Sequence, residues 1–182
     1  QVRARLIVAN SESIEGRIAE HTLDLGLIET PARSAGLASE VCCDDELQVI
    51  CAPNDPLAAL PVVTPKALRD YEFISREPGS GTREVTDAYF QAAGIPPESL
   101  KTLMELGSLE ALKGVVSTGL GFAIVSRAVF DKELQLGTLA AVPLKPPLRR
   151  SLFLVYPQDR FRSRLAGTFI DFARQKLREL VL

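Results

Sequence analysis

Residues 75–94 read SREPGSGTREVTDAYFQAAG and place a strand end, a glycine-rich turn and an amphipathic helix next to one another. The Pro-Gly pair at 78–79 ends the strand, and Ser80, Gly81 and Thr82 fall where the helix begins. A helix start leaves backbone N–H groups without partners and carries the positive end of the helix dipole, so it suits an anion. It equally suits a plain N-cap, in which Ser80 or Thr82 accepts hydrogen bonds from those groups. The stretch therefore predicts a strand, a turn and a helix, with the turn either binding an anion or only capping the helix.

Strands and helices alternate on both sides of this stretch. Apolar periodicity and turn residues predict strands at residues 2–8, 24–29, 71–75, 101–106, 122–126, 139–144 and 149–157. They also predict two extended runs around the acidic turn 44–46, and helices that begin near residues 11, 64, 82, 108 and 163. The buried face predicted for the last helix consists of Leu165, Phe169, Phe172, Ala173, Leu177 and Leu180. This alternation predicts an α/β fold with largely parallel sheets, and the strands near 46–52 and 150–156 are the expected crossings between two lobes.

Composition excludes two classes of partner for the chain itself. The chain has 182 residues, 46% of them hydrophobic, which is enough for one full core or two small lobes. Its apolar runs are interrupted well before the roughly 20 residues that span a bilayer, so no membrane anchor is expected. The net charge of -2 lacks the basic excess typical of nucleic-acid domains. The sequence thus predicts a globular domain that does not bind DNA by itself.

The N-terminus and the cysteines indicate where the protein works. QVRARLIVANS carries no initiator Met and no signal-peptide layout, and it begins inside a predicted strand, so a piece of a longer protein is expected. Cys42, Cys43 and Cys51 form an odd set without a C-x-x-C pair, which argues against a disulfide framework and a zinc site. A reducing cytoplasm fits best.

Residues suited to catalysis, cofactor binding or metal binding are sparse. His21, the only histidine, stands near a predicted helix end, where a favourable charge is expected rather than a general base. GSGTRE lacks the third glycine of a dinucleotide fingerprint and GLGFAI precedes a strand, so no cofactor is expected. The acidic run 44–46 is interpreted as a solvated turn and not as a metal site. Cys42 and Cys43 would point to opposite faces of a strand as small buried hydrophobes, with a redox-sensing thiol as the alternative.

Two polar turns remain, and each follows a strand and opens a helix. The first is Asn10-Ser11-Glu12-Ser13, and the second is Gly79-Ser80-Gly81-Thr82-Arg83. In open α/β sheets this edge is where ligands bind, so two such turns in facing lobes are expected to close over a small anion. Arg83 adds a charged donor if its side chain points inward, and an outward salt bridge is the alternative.

The order of these motifs resembles a known family. LIVANSESI, DLGLIE, ELQVICAPNDPLA, FISREPGSGTREVTDAYFQAAGI, ELGSLEALKGVVSTGLGFAIVSR and LFLVYPQDRFRSRLAGTFIDFARQKL together resemble the effector-binding domain of LysR-type bacterial transcriptional regulators. The resemblance covers nearly the whole chain, and the SGTR turn is similar to that of members regulating sulfur assimilation or carbon fixation.

The resemblance implies a two-lobed fold like the type 2 periplasmic binding proteins, with a small anionic effector in the cleft. Lobe I would comprise residues 1–46 plus 157–182, and lobe II residues 47–156. The residues implied to contact the effector are Ser11, Ser13, Ser80, Gly81, Thr82 and Arg83. The family also implies self-association of the parent protein as a dimer or tetramer.

Two departures from the family pattern accompany the resemblance. No helix-turn-helix domain is present, so promoter DNA would be bound only through a part of the parent protein outside this chain. The chain starts at what resembles the family's second strand, so the family's first strand and first helix are expected to be missing from this sequence. The hypothesis is therefore a non-enzymatic, cytoplasmic sensing domain that binds a small anion or carboxylate. Two alternatives remain: a secreted solute-binding protein of the same fold, and a prephenate dehydratase-like enzyme, in which Glu84 stands where that family has Phe.

Overall fold

The computed structural model describes residues 4–158 and 164–178. Its main elements are α1 (Ser11–Ala19), β1 (Gly26–Ile28), β2 (Leu37–Cys51), α2 (Pro65–Leu68), β3 (Phe73–Arg76), α3 (Gly81–Ala92), β4 (Thr102–Leu106), α4 (Leu109–Ser117), β5 (Ala123–Ser126), α5 (Asp131–Gln135), β6 (Ala140–Val142), β7 (Leu148–Pro157) and α6 (Arg164–Arg178). Short 3-10 helices lie at Pro56–Ala59, Pro97–Ser99 and Arg127–Val129. The predicted α/β class is confirmed.

Helix boundaries follow local capping signals in the sequence. Ser80 precedes α3 as its N-cap, and its hydroxyl accepts from the Arg83 N–H at 3.4 Å. Gly94 follows the end of α3 with φ of +76°, a left-handed conformation that glycine adopts without steric cost. Ser108 caps α4 in the same way as Ser80 caps α3. These ends were predictable because each cap involves residues only three positions apart.

The long strands pair antiparallel, so the prediction of largely parallel sheets is wrong in this respect. β2 is one strand of 15 residues where the sequence predicted two runs, and it pairs antiparallel with β5, β6 and β7. β1 pairs antiparallel with the other side of β7. Within the described part of the chain, parallel pairing joins β3 to β4 and occurs at two isolated bridges. β2 and β7 cross between the lobes in opposite directions, and apolar runs alone do not reveal strand direction.

Buried side chains fall into two regions, in agreement with a two-lobed fold. One region lies within residues 47–148, where Phe73 stacks on Phe122 with ring centroids 5.0 Å apart. The other joins α1 and α6 to β1, the first part of β2 and the last part of β7. The lobe boundaries at 46/47 and 156/157 stay a prediction.

Residues 4–10 form no strand, so the strand predicted at residues 2–8 is wrong over its described part. No strand of the described chain pairs with this segment, and an extended segment without a neighbour leaves its backbone groups without a ladder. Leu6 and Val8 are accordingly 89% and 90% exposed.

The buried face of helix α6 overlaps the predicted one only in part, at Ala173 and Leu177. Ile170 is fully buried, with Ala173 and Leu177 packed in the same cluster, whereas Leu165, Phe169 and Phe172 are exposed. Leu180 lies outside the described residues. The helix carries more apolar residues than one contact stripe uses, so periodicity alone does not select the stripe. Among the described helices, none combines the length and apolarity needed to cross a membrane.

Candidate functional site

The start of α3 holds a carboxylate. The Thr82 N–H donates to Glu29 Oε2 at 2.7 Å, and the Thr82 hydroxyl donates to Glu29 Oε1 at 3.0 Å. Thr82 is buried, and so is the capping residue Ser80. Glu29 directly follows β1 and therefore reaches α3 from the opposite lobe. The turn predicted to bind an anion or cap the helix therefore contacts a carboxylate in this structure, and that carboxylate is a side chain of the protein.

The start of α1 faces the same turn. Asn10 caps α1 by accepting from the Ser13 N–H at 2.9 Å, and its side-chain amide donates to the Pro78 carbonyl at 3.3 Å. The Glu12 N–H donates to the Gly79 carbonyl at 3.1 Å. The two polar turns predicted from sequence therefore meet directly, as expected for facing lobes.

Gly81 permits this close approach. A Cβ at this position would lie 2.5 Å from Glu29 Cβ and 2.8 Å from Ser11 Oγ, distances that packed atoms do not tolerate. The Ser11 hydroxyl accepts from the Glu29 N–H at 3.2 Å and so fixes the residue that reaches α3. Ser11 is buried between the two turns.

A buried guanidinium lies beneath Glu29. Arg150 Nη1 is 2.9 Å from Glu29 Oε1 and donates to the Thr82 hydroxyl at 2.9 Å. Its Nε and Nη2 lie 2.8 Å from Asp45 Oδ2, and Asp45 also accepts from the Ser126 hydroxyl at 2.7 Å. The Arg150 and Asp45 side chains are 5% and 1% exposed. Asp45 and Arg150 are directly paired residues of β2 and β7, so this network lies on the strands that cross between the lobes.

Arg83 points away from the helix start. Its Nη1 lies 2.6 Å from Glu105 Oε1 and donates to the Arg76 carbonyl at 3.0 Å. Asp87 lies one turn further along α3, 3.7 Å from Arg83 Nε. Burial raises the pKa of Asp87, and Glu105 adds to this effect, whereas Arg83 opposes it. Of the two alternatives for Arg83, the structure shows the salt bridge.

A cavity of about 730 Å³ opens beside the two helix starts. Its walls come from α1, the loop after β1 and α3, and include Ser11, Ser80 and Arg83. An Arg33–Glu84 ion pair joins the loop to α3 across it. Ser13 does not line this cavity, and its backbone N–H serves the α1 cap. The structure therefore brings Ser11, Ser80, Gly81 and Thr82 together, leaves Arg83 on the wall and places Ser13 in the cap.

Glu15 organises the loop that forms one cavity wall. Its Oε1 accepts from the Ser34 N–H and hydroxyl, each at 2.6 Å, and from the Arg33 N–H at 2.8 Å. Burial alone would raise the pKa of Glu15, but these hydrogen bonds and the Arg33 charge outweigh it and lower the pKa below the ordinary 4.5.

This arrangement matches a known family. The family model of the LysR substrate binding domain matches residues 1–178. The chain belongs to this family.

Similar full-length proteins are transcriptional regulators by name. The HTH-type transcriptional regulator YeiE of Escherichia coli K12 is 39% identical over 174 residues, which is 94% of this chain and 58% of that protein. The RuBisCO operon transcriptional regulator of Acidithiobacillus ferrooxidans is 34% identical over 168 residues, which is 92% of this chain and 53% of that protein. The chain thus spans little more than half the length of these relatives. Neither name is that of an enzyme or of a secreted binding protein, the two alternatives raised from the sequence.

Solved structures of the family share the fold. The regulatory domain of Synechocystis PCC6803 CcmR, solved in complex with 2-PG, superposes with a TM-score of 0.83 at 27% identity and covers 94% of this chain and 81% of that one. The effector-binding domain of QuiR, solved in complex with shikimate, gives a TM-score of 0.85 at 22% identity over 95% of this chain and 80% of that one. The second likeness shows the fold alone.

The three cysteines and the possible metal ligands of the described residues were also candidates from the sequence. Cys42, Cys43 and Cys51 are free and buried, and burial raises the pKa of Cys43 and of Cys51 to about 11. A β-bulge between Val41 and Cys43 lets both neighbouring cysteines lie inside, although alternate residues of a regular strand face opposite sides. Among residues 4–158 and 164–178, no group of His, Cys, Asp or Glu is placed to hold a metal ion.

Three charged residues of the site were not predicted from the sequence. Glu29 was interpreted only as the end of a buried strand, Asp45 as part of a solvated turn and Arg150 as part of a crossing strand. Opposite charges in the acidic turn 44–46 and at the start of the predicted strand 149–157 were a usable signal. Pairing them, however, requires the β2–β7 register, which the sequence pattern does not supply.

Proposed function

We propose that this chain is the effector-sensing domain of a LysR-type transcriptional regulator. It binds a small anion or carboxylate metabolite at the start of α3, in contact with Ser80, Gly81 and Thr82, with Ser11 on the facing turn. One observation carries the proposal: the buried Thr82 N–H and hydroxyl, backed by Arg150, already hold two carboxylate oxygens. Such a site suits an anion because hydrogen bonds to a charged acceptor are about twice as strong as neutral ones.

Other observations support an oxyanion over a neutral ligand. Donors converge on one point from a helix N-terminus and from a guanidinium with only 5% of its side chain exposed. The regulatory domain of CcmR, which is 27% identical to this chain, was solved in complex with 2-PG. Ser13 and Arg83 complete the proposed set as neighbours of the site, Ser13 through the α1 cap and Arg83 on the cavity wall.

The parent protein would convert binding into regulation. Ligand-dependent change in the contact between the lobes would alter the arrangement of a self-associated parent, and with it the affinity of a helix-turn-helix domain for promoter DNA. Such a regulator acts in the cytoplasm, where its DNA is. Relatives named HTH-type and operon regulators support this part of the proposal.

A thermal-shift screen tests the ligand class. The domain is screened with sulfate, sulfite, thiosulfate, phosphate, nitrate, 2-PG and small carboxylates, in parallel with Thr82→Ala and with the exposed control Thr102→Ala. A ligand present at 100 times its Kd stabilises the fold by about 2.7 kcal/mol, which corresponds to roughly 5–11 °C in Tm. We expect one ligand to stabilise wild type and Thr102→Ala but not Thr82→Ala. Equal stabilisation of all three proteins would refute the location of the site.

A DNA-binding assay tests the regulatory role. For the full-length parent, the ligand identified in the screen should change operator affinity severalfold, and Thr82→Ala should abolish that response. An unchanged operator affinity at saturating ligand would reject the sensing role.

A further inference from the structure

Glu29 occupies the donors that an external anion would use. Three donors point at its carboxylate: the Thr82 N–H at 2.7 Å, the Thr82 hydroxyl at 3.0 Å and Arg150 Nη1 at 2.9 Å. A helix N–H, a hydroxyl and a guanidinium thus converge at one point. An effector bound there and the Glu29 carboxylate therefore exclude one another.

We propose that Glu29 is an internal ligand of the anion site, and that an effector binds by displacing its carboxylate. The inference rests on the proposed function, because it presupposes that the start of α3 is where the effector binds. It adds a built-in competitor that lowers the apparent affinity for every external anion and favours anions whose oxygens satisfy all three donors better than a carboxylate does.

A role as a helix cap does not by itself explain why Glu29 contacts the start of α3. Ser80 already fills the N-cap position of α3 and accepts from the Arg83 N–H. Glu29 comes from 53 residues away along the chain and from the other side of the cleft. Local capping does not require a contact of this range.

The surroundings of Glu29 allow it to leave. Its side chain is 26% exposed, so it can reach solvent without unpacking a core. Arg150 keeps Asp45 as a partner after Glu29 departs, so no buried cation is left unpaired. The buried Thr82 donors, by contrast, need a new acceptor, and a buried donor without one is unfavourable. An incoming anion supplies that acceptor.

Displacement also provides a route for signalling. Glu29 follows β1, whereas Thr82 belongs to α3, so their hydrogen bonds tie the two facing sides of the cleft together. An effector that takes over the Thr82 donors removes this tie and replaces it with its own contacts. Because the ligand-bound and Glu29-bound arrangements compete, occupancy and the contact between the lobes become thermodynamically linked.

Sulfate binding to two single variants tests the inference. Isothermal titration with sodium sulfate, at ionic strength held constant with chloride, is carried out on wild type, Glu29→Gln and Glu12→Gln. Glu12 is a matched control because it is an exposed glutamate that lines the neighbouring cavity, so its substitution removes the same charge. We expect Glu29→Gln to bind sulfate at least tenfold more tightly than wild type, since competing hydrogen bonds to a charged group are weakened. Glu12→Gln should change affinity less than threefold.

The outcomes separate this inference from the proposed function. If wild type binds sulfate and Thr82→Ala abolishes binding, but Glu29→Gln binds no more tightly than wild type, the site stands and the internal ligand is rejected. If neither wild type nor Glu29→Gln binds sulfate, the inference is also rejected, because vacated donors should attract it. A parallel thermal scan provides a second test in case Glu29→Gln is less stable than wild type. Sulfate should raise the Tm of Glu29→Gln more than that of wild type. An equal or smaller rise overturns the proposal.

Discussion

Replacing Arg150 with methionine should destabilise the fold strongly, because it leaves a buried carboxylate without its cation. The Asp45 side chain is 1% exposed and receives two of the Arg150 contacts, both at 2.8 Å. Methionine fills much of the volume of the arginine stem but carries no donor. Asp45 would then keep the Ser126 hydroxyl, 2.7 Å away, as a partner.

The expected loss follows from this geometry. Removing one partner of a buried ion pair costs about 3–5 kcal/mol, and the remaining Ser126 hydrogen bond places the expectation near the lower end of that range. Glu29 is 26% exposed and loses a contact that contributes less than about 1 kcal/mol. Together these effects predict a loss of about 4 kcal/mol, or roughly 8–16 °C in Tm.

Urea unfolding at pH 7 measures this loss, and the neighbouring arginine provides the control. Arg149 lies on the same strand, but its side chain is 73% exposed and its pairing distance to Glu46 is 3.7 Å. Arg149→Met should therefore cost less than about 1 kcal/mol. In the double variant Asp45→Asn/Arg150→Met, part of the loss should be recovered, with a coupling of about 2 kcal/mol. An Arg150→Met loss no larger than that of Arg149→Met would refute the interpretation of Arg150 as the buried partner of Asp45.

Two further predictions concern the walls of the site. The pKa of Glu15 is lowered in the folded protein, so its stabilising contribution is complete above about 4.5, its ordinary value, and is lost as the pH falls through the folded pKa. Glu15→Gln should thus cost about 1 kcal/mol at pH 7 and progressively less as the pH falls below 4.5, as read from urea unfolding across this range; a pH-independent difference would contradict this. Gly81→Ala should cost about 1–3 kcal/mol, because its Cβ would lie 2.5 Å from Glu29 Cβ. Gly16→Ala is the control, because a Cβ at this position in α1 meets nothing within 4 Å, and it should stabilise the fold by about 0.5–1 kcal/mol. Thermal unfolding that finds Gly81→Ala more stable than Gly16→Ala would contradict the close packing at Gly81.

Local signals in the sequence predicted the frame of the site. Ser80, one of the two predicted caps of α3, is its N-cap, and Gly94 at the end of α3 and Ser108 at the start of α4 lie where the sequence placed them. These features depend on residues three or four positions apart, so a pattern within one short stretch determines them. The order of strands and helices was predictable for the same reason.

Strand direction and the choice of buried faces were not predictable in this way. The same apolar run suits a parallel or an antiparallel neighbour, and β2 proved to be antiparallel to three strands. Helix α6 offers more than one apolar stripe, and packing selected the one that contains Ile170 while leaving Phe169 and Phe172 exposed. Both outcomes depend on neighbours that are far away in the chain.

The sequence by itself determined that a polar turn opens α3 and that this turn can hold an anion, because capping residues and helix N–H groups are local. Only the tertiary structure decided which anion lies there and what neutralises it. Glu29 is 53 residues from Thr82, Arg150 is 68 residues from Thr82 and 105 from Asp45. Their meeting depends on the β2–β7 register and on the contact between the two facing turns. Such contacts arise from the packing of the whole chain, and no short stretch of it encodes them.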